Sequence, residues 1–158
     1  MTVLDLLTTM KPGSSRRRRE VKVPQICGLA RVTLSVRDRD ESVRFYRSVL
    51  GFKELRSEDE NGTLRTECRH SCGFLLDLVQ HKDNFKGKFD HRRCGLDRLV
   101  LRVDNLGELE AWEDRFTKLD VEHTPTSHDA DGSTLVFFDP DGTELALFAP
   151  AEIDDDED

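Results

Sequence analysis

No run in this sequence approaches the ~20 consecutive apolar residues that a bilayer-crossing helix requires. The opening MTVLDLLTTMKPGSS lacks the basic start of a secretory signal, carries Asp5 early and has too short an apolar stretch to serve as one. Membrane insertion and export are therefore not expected, and a cytoplasmic location is. Cysteines are sparse: Cys27, Cys68, Cys72 and Cys94 are even in number, but without an export signal they are read as reduced thiols. Cys68, His70 and Cys72 alternate, so on a strand they would share a face and could contribute to a soft-metal site. If Ser71-Cys72-Gly73 forms a hairpin turn instead, strand geometry breaks before Cys72. Aromatic residues are also missing where nucleic-acid binding would need them. None interleaves with the run Arg16 to Arg19, and the whole chain carries a net charge of −8, so a nucleic-acid partner is not expected.

The remaining charge is polarised. Residues 1–26 hold six Lys or Arg against two acids, and the stretch from Ala151 holds six acids and no base. These ends are expected to be a flexible basic arm (1–26) and a disordered acidic tail (151–158) around one compact domain, 27–150.

An internal repeat organises that domain. GLARVTLSV (28–36) laid over GLDRLVLRV (95–103) aligns Gly28 with Gly95, Arg31 with Arg98, Leu34 with Leu101 and Val36 with Val103. Both segments alternate as strands do, with Val32, Leu34 and Val36 on one face and Arg31, Thr33 and Ser35 on the other. A helix follows each. Asp38 with Glu41, and Asn105 with Glu108, have the spacing at which side chains satisfy the first unpaired N–H groups. The first helix carries Val43, Tyr46, Val49 and Leu50 to a stop at Gly51; the second carries Leu109, Trp112, Phe116 and Leu119 to a stop near Asp120. These stripes are assigned to the core. Strands are expected at 63–69 and 73–80, then at 134–138 and 143–148. Hairpins at Ser71-Cys72-Gly73 and Asp139-Pro140-Asp141-Gly142 join them. The units are thus 27–81 and 94–150, with the polar, basic stretch 82–93 as linker.

The strings GLARVTLSVRDRDESVRFYRSVLGF, GLDRLVLRVDNLGELEAWEDRF and FFDPDGTELALFAP resemble the vicinal-oxygen-chelate superfamily of glyoxalases, bleomycin resistance proteins and extradiol dioxygenases. The likeness spans roughly residues 27–150. It implies an α+β fold of two tandem βαβββ units that form a curved mixed sheet around a cavity, with any divalent metal held there. In metal-dependent members a ligand comes from the first strand of each unit and a carboxylate from the last. The matching positions here hold Arg31, Arg98, Asp77 and Ala146. Arginine has no lone pair to offer and alanine no donor, so only Asp77 could ligate. A single carboxylate falls short of a catalytic site, and no metal or other cofactor is expected. An unorthodox set would have to recruit Glu144 and His81, which share strand parity with Ala146 and Asp77.

Two readings follow for the arginines. Arg31 and Arg98, helped by Arg102, could hold a carboxylate or phosphate of a ligand; or Arg31 or Arg98 pairs internally with Asp77 and fills the vacated site. Thr33, Ser35, Leu75, Val79, Val100 and Phe148 would line the rest, a wall suited to an anionic or amphiphilic small molecule. The loss of ligands favours a metal-independent binding protein like the bleomycin-resistance branch, whose pocket often forms between two chains, so a homodimer is considered. The alternative is a lyase, isomerase or dioxygenase using an atypical metal set, or Asp77 as base with an arginine stabilising an enolate-like anion. An interaction subunit docking through Arg16–Arg19 is a third class.

Overall fold

The computed structural model describes residues 24–85 and 87–151. The expectations for Arg16–Arg19 and the acidic tail beyond Ala151 lie outside these residues. Ten elements follow one another: β1 (Val32–Ser35), α1 (Arg39–Ser48), β2 (Lys53–Glu60), β3 (Thr63–Arg69), β4 (Leu75–Gln80), β5 (Leu99–Arg102), α2 (Leu106–Lys118), β6 (Ser127–His128), β7 (Gly132–Phe138) and β8 (Glu144–Pro150). This is an α+β fold of two βαβββ units. Their strands form two four-stranded mixed sheets, ordered β1-β4-β3-β2 and β5-β8-β7-β6, neither closed. The first strand of each unit runs parallel to its last, and the other pairs are antiparallel.

Both helices begin where the capping residues place them. The Asp38 carboxylate accepts the Glu41 N–H and the Asn105 amide oxygen accepts the Glu108 N–H, each at 2.9 Å. Gly51 (φ +78°) carries the chain out of α1, a left-handed conformation that costs a β-carbon-bearing residue most. α2 is followed by Asp120 in the same region (φ +55°). Leu119, assigned to the core from its helical spacing, is 45% exposed because it sits at the C-cap, where the stripe has already turned away from the sheet.

β1 and β5 are shorter than expected. Residues 24–30 run up to β1 without regular structure, and Gly28 (φ +136°) and Gly95 (φ +155°) take backbone conformations outside a strand. The βαβββ units implied two further strands, β2 and β6, that were not located in the sequence. β2, KELRSEDE, is exposed along its whole length and so shows no apolar alternation. It nonetheless pairs with β3 through a tight turn at Asn61-Gly62 (φ +53° and +82°), the dipeptide that favours a two-residue hairpin.

Each helix packs on its own sheet, and one apolar cluster runs through both units, from Tyr46, Phe52, Leu76 and Leu78 to Phe116, Leu135, Phe137 and Leu145. Polar contacts cross between the units as well. The Tyr46 hydroxyl donates to Asp139 Oδ2 at 3.1 Å, while Asp139 Oδ1 accepts the N–H groups of Asp141 and Thr143 at 2.9 and 2.8 Å. Arg37 donates to both carboxylate oxygens of Asp141 and to the Pro140 carbonyl. Arg115 of α2 donates to the Val49 and Ser48 carbonyls at the end of α1, at 3.0 and 2.8 Å. No described helix is long and apolar enough to cross a membrane.

Candidate functional site

The register of β1 on β4 sets which side chains share a face. Thr33 lies opposite Asp77 and Ser35 opposite Val79, so Arg31, Thr33, Ser35, Leu75, Asp77 and Val79 point to the side away from α1. Val32, Leu34, Leu76 and Leu78 turn to the core. β3 adds Arg65 and Glu67 to the outer face, and β2 adds Arg56 and Glu58.

These residues form a continuous charge ladder. Asp77 is fully buried beneath Arg31, which donates to it at 3.2 Å and to Glu67 at 2.9 Å, and Arg65, which pairs with the same carboxylate. Thr33 donates to Asp77 at 3.4 Å. Arg56 continues the ladder to Glu67 at 3.7 Å and Glu58 at 3.3 Å. Burial pushes the Asp77 carboxyl up, but the bonds from Arg65 and Arg31 outweigh it, and the pKa lies below the ordinary value. A carboxylate held in its charged form this way is a poor proton acceptor, which counts against Asp77 as a base.

The second sheet repeats the geometry with different chemistry. Val100 lies opposite Ala146 and Arg102 opposite Phe148, and Arg98 forms an ion pair with Glu144. The two arginines that align in the repeat are therefore each neutralised within their own sheet. Of the alternatives left open by the sequence, internal pairing is the one the geometry realises. Arg31 takes Asp77; Arg98 takes Glu144, which is its counter-ion. Arg65, the second partner of Asp77, was missed.

A divalent metal does not fit here. Two guanidinium groups cover the Asp77 oxygens, Ala146 has no donor, and Glu144 is committed to Arg98. Among the described residues no group of three His, Cys, Asp or Glu is placed to hold a metal ion. The alternating Cys68-His70-Cys72 site is also overturned. Cys68 is buried opposite Leu76 on the core face, whereas Cys72 lies in the turn closed by the Gly73 N–H to the His70 carbonyl. All four cysteines are free thiols.

A cavity of about 600 Å³ lies elsewhere, where residues 81–96 cross the end of β1 and meet the 139–143 turn of the second unit. Thr33 and Ser35 contribute to its wall; Arg31, Leu75, Asp77, Val79, Arg98, Val100, Arg102 and Phe148 do not. His81, considered only as a rescue ligand, lines it with its ring nitrogen 3.3 Å from the Ser35 hydroxyl. Phe85, Lys88, Phe89 and Arg93 come from the stretch read as a linker. That connector is fixed at two points. Asn84 donates to the Val36 carbonyl at 2.6 Å and accepts the His81 N–H at 3.1 Å, and the Phe89 N–H reaches the Asp141 carbonyl at 3.1 Å. The signal available was Phe89, partly buried, in the mostly polar KDNFKGKFDHRR, whereas Phe85 stays 79% exposed.

A sequence model of the "Glyoxalase/Bleomycin resistance protein/Dioxygenase superfamily" matches residues 28–147. Among solved structures, the chain is similar to a glyoxylase/bleomycin resistance protein/dioxygenase domain from Frankia sp. EAN1pec, at 31% identity and TM-score 0.76, covering 80% of this chain and all of that one. It is also similar in fold to the fosfomycin resistance protein FosX from Listeria monocytogenes (19% identity, TM-score 0.64, 80% and 94% covered). A third likeness is to lactoylglutathione lyase from Agrobacterium tumefaciens (16% identity, TM-score 0.63, 80% and 96% covered). No curated protein matches in sequence.

Proposed function

Because the chain belongs to the Glyoxalase/Bleomycin resistance protein/Dioxygenase superfamily, we propose that it uses this fold to bind a small anionic or amphiphilic organic molecule without a metal, as in the bleomycin-resistance branch. The observation that carries the proposal is the cavity of about 600 Å³ between the two units, a size within the roughly 300–1,000 Å³ of small-molecule sites. Its wall mixes the hydroxyls of Thr33 and Ser35 with the rings of Phe85 and Phe89. The donor positions of metal-dependent relatives hold arginine and alanine or an arginine-covered aspartate, so this reading asks nothing of a metal.

The test is thermal-shift screening of organic acids against untagged protein with and without Ni, Zn and Mn, beside a Ser35→Trp variant that fills the cavity. Hits whose stabilisation is independent of metal and lost in Ser35→Trp support the proposal. Stoichiometric metal retained through purification, or hits indifferent to Ser35→Trp, would overturn it. The same reading includes a homodimer, because Leu29, Leu96 and Val100 are 74%, 43% and 52% exposed and a second copy would cover them. Sedimentation at micromolar concentration should give twice the chain mass.

A further inference from the structure

Resting on the cavity reading above, we infer that Lys88 and Arg93 of the connector make the cavity selective for organic anions with an aromatic body. The inference comes from following each charge in the wall to its partner. Arg37 is satisfied by Asp141, to which it donates from both backbone and side chain. Asp90 is satisfied by Arg92, whose guanidinium meets both carboxylate oxygens at 3.0 and 3.1 Å. Lys88, Arg93 and Asp83 are left, and none has an ion-pair partner among the described residues. The wall's own charges balance, Arg37, Lys88 and Arg93 against Asp83, Asp90 and Asp141, and among them Lys88 and Arg93 are two cations without an ion pair.

Arg93 is also presented in a form suited to an oxyanion. Its guanidinium carbon lies 5.5 Å over the centre of the Phe85 ring, a cation–π contact. The guanidinium N–H groups are in no ion pair among the described residues and can donate to a carboxylate, sulfonate or phosphate. Phe89 and Leu96 line the same cavity and supply apolar surface for the body of the ligand. Asp83 belongs to the other end of the connector, beside Asn84, which is tied to Val36. The arginines aligned in the repeat, Arg31 and Arg98, contribute no free charge, because carboxylates of their own sheets already hold them. Anion recognition is thereby assigned to the connector and away from the strands.

A matched pair of dyes tests this on the full chain. 1-Anilinonaphthalene-8-sulfonate and N-phenyl-1-naphthylamine share a ring system and differ by the sulfonate. Fluorescence titration should show the sulfonate bound about tenfold more tightly, the scale of a charged hydrogen bond. The double variant Lys88→Gln/Arg93→Gln should erase that preference while leaving the neutral dye's affinity unchanged, and Arg44→Gln/Arg47→Gln, an equal charge change on exposed α1, should leave both dyes as they were. Circular dichroism melts establish that each variant is folded. If both dyes bind equally, or the double variant keeps the preference, the anion inference is overturned and the cavity reading stands. If neither dye binds, or both bind Ser35→Trp as well as the parent, the cavity reading itself falls and takes the inference with it.

Discussion

Two residues in the first unit show how far a side chain's surroundings govern its chemistry. Asp77 has no exposed surface, yet its partners Arg31 and Arg65 keep about two-fifths of theirs. Removing the carboxylate therefore leaves two cations that water can still reach. We expect Asp77→Leu to cost about 1–2 kcal/mol, below the 3–5 typical of breaking a fully buried pair, measured by urea unfolding. Because folding lowers the pKa of Asp77, its contribution is present above the ordinary value of 3.8 and is lost as pH falls through the lower, folded value. The parent should lose this increment in acid, and Asp77→Leu should not. Cys68 gives the second case. Burial, reinforced by Glu54 and Asp77, pushes its thiol up to about 11. Iodoacetamide at pH 8 should label the exposed Cys27, Cys72 and Cys94 and spare Cys68 until the protein unfolds; labelling of all four at one rate in the native state would contradict this.

At the scale of elements, the interlock between helices is the most testable. Arg115 places a cation and two donors on the last carbonyls of α1, where orphan acceptors and the negative end of the helix dipole both favour it. Arg115→Ala should cost about 1–2 kcal/mol, and Arg115→Lys should recover part of that in the same urea experiment. The helices were legible in the sequence because each carries its own start signal, at Asp38 and Asn105, and an apolar stripe with one outcome. β2 was not, since an edge strand that buries nothing carries no alternation to read; only Asn61-Gly62 marks it. The candidate site divides the same way. Thr33 and Ser35 were placed on the outer face of β1 because strand parity fixes where they point. The arginines were placed on the right face, but parity does not say which carboxylate will reach them, and Arg65 enters through a pairing that spacing does not encode. The connector was opaque because its position depends on two long-range bonds, from Asn84 to Val36 and from Phe89 to Asp141.

Across the whole molecule, the apolar cluster common to both units predicts one cooperative unfolding transition. Asp139 adds a second pH term, opposite in sign to that of Asp77. Burial pushes its carboxyl above the ordinary value, so its stabilising contribution is full below 3.8 and declines as pH rises through the folded pKa. In Asp139→Asn, the amide oxygen can still accept from Asp141 and Thr143, and the amide N–H can meet Tyr46. The melting temperature of that variant relative to the parent should therefore rise between pH 4 and pH 7. A difference that stays constant across that range would show that folding does not raise the Asp139 pKa.

The turn at 139–142 closes its own hairpin and, through Asp139, Pro140 and Asp141, grips Tyr46 and Arg37 of the other unit. Recognition between the halves is thus written into their surfaces rather than into the peptide that joins them. Fragments ending and beginning within the connector, made as separate polypeptides, should find each other and refold together, and this scaffold could be divided into a reporter whose two pieces assemble on mixing.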